Sequence, residues 1–215
     1  MANKIRRKLF KLIIVGLLLL LLALFGFYLA LISGIWGDIP TKNRLRAIKN
    51  NLSSEVYSAD SVLLGKYYFE NRSNAAFDEI PLSIVNALVA TEDVRFFEHE
   101  GIDNRSLIRV FVKTILLGDR NSGGGSTISQ QLIKNLYPRL ENSLLSVPIS
   151  KFKEMLAARR LEDIYTKNEI LTLYLNTVPF GGNTFGIKSA AEHYFSKSLS
   201  ELSLEEAAVL VGMLK

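Results

Sequence analysis

Ala90-Thr91-Glu92-Asp93-Val94-Arg95-Phe96-Phe97-Glu98-His99-Glu100-Gly101 follows directly on an apolar run, Ile84-Val85-Asn86-Ala87-Leu88-Val89. Pro81 precedes that run, and proline suits the first turn of a helix because its missing N–H has no partner there anyway. The spacing therefore predicts a helix from Pro81 to Glu92, with the carboxylate pair Glu92 and Asp93 at its end. An acid at the end of a packed helix is held rigidly. Phe96 and Phe97 follow, and a ring-rich wall beside a carboxyl can raise its pKa towards that of a working base. For an isolated Glu-Asp pair the alternative is a solvated helix end, so the weight falls on the rest of the chain.

Downstream, Gly123-Gly124-Gly125-Ser126-Thr127-Ile128-Ser129-Gln130-Gln131-Leu132-Ile133-Lys134-Asn135 is the second informative stretch. It lacks the Lys-Ser/Thr that a P-loop requires after its glycines. The glycines predict a loop, then a helix start with Ser126 or Thr127 as N-cap and Thr127 with Gln130 as a capping box. On that helix Thr127, Gln130, Gln131 and Lys134 share one face, and Ile128, Leu132 and Leu136 another. A polar face with one lysine at a helix N-terminus with free N–H groups is a fitting cradle for phosphate oxygens. A capped helix with a solvated face is the alternative.

Further on, Ile149, Phe152, Met155, Leu156, Leu161 and Ile164 form the apolar stripe of a helix that also carries Lys151, Lys153 and Glu154. Thr166-Lys167-Asn168-Glu169 is a capping box opening a helix to Asn176, and Ser203-Leu204-Glu205-Glu206 opens one expected to run to Lys215. Ser106 to Leu117 is short and strongly apolar, either a core helix or a segment that dips into a membrane surface. His99 is expected to partner a neighbouring carboxylate or backbone group, and His193 to sit on an aromatic packing surface. No zinc-ligand spacing occurs.

Upstream, Lys4, Arg6, Arg7, Lys8 and Lys11 precede an uncharged apolar run from Leu12 to Ile35. At about 1.5 Å per residue that run is long enough to cross the hydrocarbon core as a helix. The basic cluster predicts the N-terminus inside and the remainder outside. A cleaved signal peptide is the competing reading, but the run exceeds the usual signal core. The expected organisation is a basic N-terminus over 1–11, a transmembrane helix over 12–36, a polar connector over 37–79, and a domain over 80–215 that looks cut at its C-terminus. Within the connector, Glu55 to Phe69 reads as two short strands around a turn at Ala59–Ser61. The 215 residues carry a formal charge of +5 and no cysteine. That excludes disulfides, thiol nucleophiles and zinc-thiolate sites. No basic run interleaved with aromatics follows the N-terminus, so nucleic acid is not indicated.

Taken together, these stretches resemble the peptidoglycan glycosyltransferase domain of penicillin-binding proteins, glycosyltransferase family 51. The resemblance rests on Glu92-Asp93-x-x-Phe96-x-x-His99-x-Gly101, Gly125-Ser126-Thr127 with Gln130-Gln131 and Lys134-Asn135, Lys151-x-x-Glu154, Glu169-Ile170-Leu171-x-x-Tyr174-Leu175-Asn176, and Glu206-Ala207-Ala208 through Gly212 to Lys215. It covers about residues 80–215 in the family's order. It implies a mainly α, lysozyme-like, two-lobed domain behind a single N-terminal transmembrane helix. It implies that lipid II is polymerised into glycan strands with inversion at the sugar carbon.

By this resemblance Glu92 is the general base towards the acceptor hydroxyl, and Glu154 is the second carboxylate, near the departing pyrophosphate. Ser126, Thr127, Gln130, Gln131, Lys134, Asn135, Lys151 and Asn176 would bind substrate; Asp93, Phe96 and His99 would support them. No cofactor is required, although a divalent cation (Mg or Mn) could accompany the pyrophosphate. The implied partners are lipid II, the growing glycan strand, membrane lipid and other wall-synthesis proteins. Two features depart from the family pattern. Ser150 stands where the family has Arg, and the segment from Leu136 to Ile149 is longer than usual, with Arg139 a possible substitute in it. The alternative functions are a non-catalytic wall-synthesis scaffold and a glycan-cleaving, lysozyme-like enzyme, since two carboxylates flanking a glycosidic bond also suit an inverting hydrolase.

Overall fold

The computed structural model describes residues 2–50, 53–113, 124–138 and 146–214. The chain is mainly α, as the resemblance implies, and the longest helix among the described residues is the apolar one at the N-terminus. This α1 (Ala2–Ile32) takes in the basic residues as well as most of the apolar run, and it is long and apolar enough to cross a membrane. It ends before Trp36 because Gly34 and Gly37 adopt left-handed backbone angles of +79° and +92° and close a turn.

Three short elements follow. α2 (Lys42–Arg46) is capped by Thr41, and β1 (Ser54–Tyr57) pairs antiparallel with β2 (Leu63–Tyr67) around the expected turn. β3 (Asn71–Arg72) then runs parallel to a later strand. The main helices are α3 (Leu82–Glu92), α4 (Asn104–Phe111), α5 (Ile128–Leu136), α6 (Ser146–Glu162) and α7 (Lys167–Thr177). A hairpin of β4 (Pro179–Gly181) and β5 (Thr184–Phe185) leads into α8 (Ile187–Phe195) and α9 (Leu204–Gly212).

The capping boxes at Thr166–Glu169 and Ser203–Glu206 both form. The last helix ends at Gly212, short of the predicted extent, and Lys215 lies outside the described residues. The short apolar helix is α4, and it is not a core helix. Ile108 is 64% exposed, and Val112, just beyond its end, is exposed as well. Residues 114–117, Gly123 and Arg139 fall outside the described residues.

One core is made where α5 packs against α6 and α7, while α3 packs on α9. Leu88, Phe96, Ile128, Leu132, Leu161, Leu171 and Leu175 are fully buried in it. Each such side chain contributes about 1.5–3 kcal/mol on burial. The connector is part of this core. Ile39, Leu45 and Ala75 are buried within it, Tyr165 donates to the Leu45 carbonyl at 3.0 Å, and Asn176 brackets Ala75 with two 2.9 Å hydrogen bonds.

α6 also receives the end of α1. Phe27 meets Phe152 edge-on at 5.4 Å between ring centroids and lies 5.6 Å from Trp36, whose carbonyl accepts from Lys153 Nζ at 3.1 Å. The apolar helix is thus docked on the same helix that carries Lys151 and Glu154.

Candidate active site

Glu92, the last residue of α3, stands half-buried on the wall of a cleft of about 350 Å³. α5 forms a second wall with Gln130, Gln131, Lys134 and Asn135, and α6 a third with Lys151 and Glu154; Ser126 closes one end. Eight of the residues expected at the site therefore meet around one open volume. Glu154 is nearly buried, at 5% exposure, with Lys151 Nζ 3.5 Å from its Oε2. The same ammonium donates to Ser126 Oγ at 2.7 Å, joining the glycine-rich loop to α6. Glu92 Oε2 accepts from Gln131 Nε2 at 2.7 Å. Two carboxylates and two lysines thus line one cleft, with Glu92 coming from a different helix than Glu154.

Asp93 has turned the other way. It is buried, takes His99 Nε2 at 3.0 Å, and accepts the backbone N–H of Ile128 at 3.1 Å. The pairing of His99 with a nearby carboxylate is the expected one. The effect on the start of α5 is not. Asp93 fills the Ile128 N–H, and Thr127 Oγ1 takes that of Gln130. A carboxylate already sits against the positive end of this helix dipole. Two of the N–H groups at the start of α5 are therefore satisfied from within the protein, which removes them from the phosphate cradle expected there. The capping box is likewise incomplete. Gln130, 1% exposed, reaches across to donate to the Gly101 carbonyl at 3.1 Å, beside Thr127 Oγ1 at 2.8 Å.

That carbonyl is held in place because Gly101 runs against α6. A Cβ on Gly101 would lie 2.8 Å from the Ala158 backbone, and its φ of +83° already favours glycine. The aromatic wall is displaced too. Phe96 is buried against Phe97, His99 and Lys167, whose Nζ lies 4.3 Å above its ring, while Phe97 is exposed. Lys167 also binds the His99 carbonyl and Glu162, and Glu162 accepts from Ser129 at 2.6 Å. Asn176 stands apart from the cleft, since its amide is spent on Ala75. The resemblance implied a substrate contact, but the partner of its side chain is Ala75, 101 residues away.

A second cleft, of about 230 Å³, opens on the other side of Glu92 and is lined by Arg95, Ser106, Arg109 and Thr127 among others. Arg95, Asp103 and Arg109 in its lining were not singled out from sequence. Arg95 Nη2 donates to Asp103 at 2.6 Å and to Ser106 Oγ at 2.9 Å. Burial opposes ionisation of Asp103. The hydrogen bonds from Arg95 and Ser106 and the adjacent guanidinium outweigh it and hold the carboxyl well below its usual range. Asp103 also accepts the N–H groups of Arg105 and Ser106 as the N-cap of α4. That capping pattern, Asp ahead of a helix, was the available signal.

The transglycosylase family model matches residues 60–215. The chain is 38% identical over 205 residues to penicillin-binding protein 1A of Aquifex aeolicus, covering 95% of this chain and 28% of that protein. It is 37% identical over 178 residues to penicillin-binding protein 1A of Escherichia coli, 83% of this chain and 20% of that one. Penicillin-binding protein 1F of Bacillus subtilis is 36% identical over 210 residues, 98% and 28% respectively. The chain thus spans between a fifth and about three tenths of the length of these relatives.

Proposed function

Because the chain belongs to the transglycosylase family, with its lysozyme-like, mainly α fold, we propose that it is a peptidoglycan glycosyltransferase. In this proposal it polymerises lipid II into β-1,4-linked glycan strands, with inversion and release of undecaprenyl pyrophosphate. The observation that carries the reading is the convergence of Glu92, Glu154, Lys134, Lys151 and Ser126 on one cleft.

The chemistry asks for those groups. A sugar hydroxyl is a poor nucleophile near neutral pH, and a positioned carboxylate that removes its proton as the bond forms contributes about 10²–10⁴-fold. In the proposed step Glu92 takes the proton from the acceptor 4-hydroxyl. The oxygen attacks the donor's anomeric carbon from the face opposite the pyrophosphate, and the carbon–oxygen bond to phosphate breaks. The electron pair leaves with the pyrophosphate. Its growing charge is met by Lys151, Lys134 and the Ser126 hydroxyl, fixed donors in a partly desolvated cleft. Glu154 orients Lys151 from one turn further along α6. The acceptor is assigned to the second cleft, where Arg95 and Arg109 offer cationic donors. A divalent cation, Mg²⁺ or Mn²⁺, would enter through the substrate's own oxygens. Among the described residues no group of three or more metal-binding side chains gathers.

The location follows the same reading. α1 would cross the cytoplasmic membrane once, N-terminus inside, with the cleft outside and the rest of the wall-synthesis machinery as neighbours. Its docking on α6 would hold the cleft near the bilayer that carries a lipid-linked substrate.

The test is lipid II polymerisation by the purified chain in detergent, beside Glu92→Gln and Glu154→Gln. Polymer from the wild type and none from Glu92→Gln is the expected result. Equal polymer from both would overturn the assignment of the base. Release of soluble fragments from finished cell wall, with no use of lipid II, would instead make the protein a hydrolase.

A further inference from the structure

The hydrogen bond on Glu92 does not stop at Gln131. The Gln131 carboxamide lies between two groups, with Nε2 2.7 Å from Glu92 Oε2 and Oε1 2.9 Å from the hydroxyl of Tyr174. Tyr174 belongs to α7, is 1% exposed, and sits 43 residues from Gln131, which is itself 39 residues from Glu92. Three helices, α3, α5 and α7, thus each contribute one side chain to a single chain of hydrogen bonds. We propose that Tyr174, acting through Gln131, is a positioning residue that fixes the orientation of the Glu92 carboxylate. The proposal rests on the reading of Glu92 as the base.

The polarity of the chain follows from the chemistry of its ends. An ionised carboxylate offers only acceptors, so the amide atom facing Glu92 must be the NH₂. The carbonyl oxygen then faces Tyr174, and the phenol must donate. Burial, and after it the negative charge of Glu92, push the phenol's pKa upward, which keeps that proton on the ring oxygen throughout the working range. A glutamine amide is free to turn over about its last torsion. Turned over, it would point its oxygen at the carboxylate. Tyr174 forbids this, because its donated proton and the carboxylate demand the same orientation.

The result is a carboxylate with Oε2 committed to the protein. Oε1 is then the oxygen to which the acceptor's proton would pass. This gives Gln131 a role different from its expected one. Its amide acts on the base, and its contribution to substrate binding is secondary. Glu92 is held by a side chain rooted in the core, since Tyr174 is among the largest fully buried residues.

Loss of the lock lets the amide sample the wrong orientation. The turnover rate should then fall while substrate affinity stays, because no substrate contact is removed.

The experiment is a lipid II polymerisation series on the full chain in detergent, with Tyr174→Phe, Gln131→Met and the double variant, each checked for a cooperative thermal transition. For Tyr174→Phe the expected result is a kcat about five- to ten-fold lower at unchanged KM, the loss of one hydrogen bond. Gln131→Met should lose more. The double variant should lose no more than Gln131→Met alone, because Tyr174 has nothing left to act through. A Tyr174→Phe variant identical to wild type in kcat, or one that loses KM in place of kcat, would overturn the proposal, as would strictly multiplicative losses in the double variant. Glu92→Gln in the same series separates the two claims. If it polymerises normally the base assignment has failed; if it is dead while Tyr174→Phe is unaffected, only the positioning role has.

Discussion

Glu92 and Asp93 are joined by one peptide bond and belong to two differently built regions. From Asp93 to Asp103 the chain forms a clamp in which Asp93, Gly101 and Asp103 make their hydrogen bonds inside the protein. Asp93 holds His99 and the start of α5, Gly101 receives two side chains from α5, and Asp103 holds Arg95 and the start of α4. Around Glu92 the polar side chains instead line an open volume of about 350 Å³. α5 serves both regions. Thr127 and Gln130 make their side-chain hydrogen bonds into the clamp, although Gln130 also borders the cleft, while Gln131 bonds Glu92 and Lys134 lines the cleft. The difference teaches that the clamp sets the position of the cleft's walls. Substitutions in it should first cost stability, and substitutions on the cleft wall should first cost rate.

The largest separation is expected at the pair itself. Glu92→Gln should lower lipid II polymerisation by about 10²–10⁴-fold. Its stability should stay within about 0.5 kcal/mol of wild type, since the residue is only half-buried and its shape is kept. Paired activity assays and thermal melts measure both quantities. A large stability loss here would erase the distinction between the two regions.

Gly101→Ala should show the opposite profile. The added Cβ meets the backbone of Ala158 at 2.8 Å, which no side-chain rotation can relieve, at a φ of +83°. The loss should be about 3 kcal/mol or more, read as a lowered melting temperature. Asp93→Asn comes next, at about 2–3 kcal/mol, for weakening a buried acceptor shared by His99 and the Ile128 N–H. Near-wild-type melts from these two variants would show that the clamp is dispensable.

Adjacent glutamines sharpen the comparison at a smaller scale. Gln130→Met removes a buried hydrogen bond to a carbonyl that Thr127 still serves, so about 1 kcal/mol should be lost, with the rate following stability. Gln131→Met should lose rate well beyond the roughly 1–2 kcal/mol of stability that the unpaired, buried Tyr174 hydroxyl costs. If both behave alike, the division of α5 into two faces is wrong.

Much of this was legible in the chain, for reasons that are local. The boxes at Thr166 and Ser203 and the turn at Ala59–Ser61 each act within a few residues and appear where their spacing put them, while Pro81 falls one position earlier than expected, as the N-cap of α3. The cleft residues were legible through their order in the motifs. What was not legible depends on partners remote in sequence. Gln130 and Gln131 are equally polar neighbours, and only the positions of Gly101 and Glu92 in space assign them. Asn176 looked like a site residue until Ala75 took both ends of its amide. The connector read as polar, yet Leu45 and Ala75 enter the core, because one buried face in a mostly polar segment leaves no periodic mark. Asp93 was counted beside Glu92, and the capped start of α5 depends on which way it turns.

The smallest expected effect is a pH dependence in the clamp. Asp103 is held ionised far into acid by Arg95 and Ser106, against the cost of burial. A carboxyl whose folded pKa is depressed adds stability above its unfolded pKa, about 3.9 for aspartate, and that stability is lost as pH falls through the folded value. At neutral pH wild type should therefore melt above Asp103→Asn. The gap should narrow as the pH drops below about 4, because the unfolded chain then takes up a proton that the folded wild type still refuses. Melts of both proteins between neutral pH and the acid limit measure this directly. A gap that is constant with pH would mean that Asp103 acts through its shape and capping bonds alone. A gap that widens in acid would contradict the ion pair with Arg95 and, with it, the view that charge holds this end of the clamp while the walls of the cleft are left for substrate.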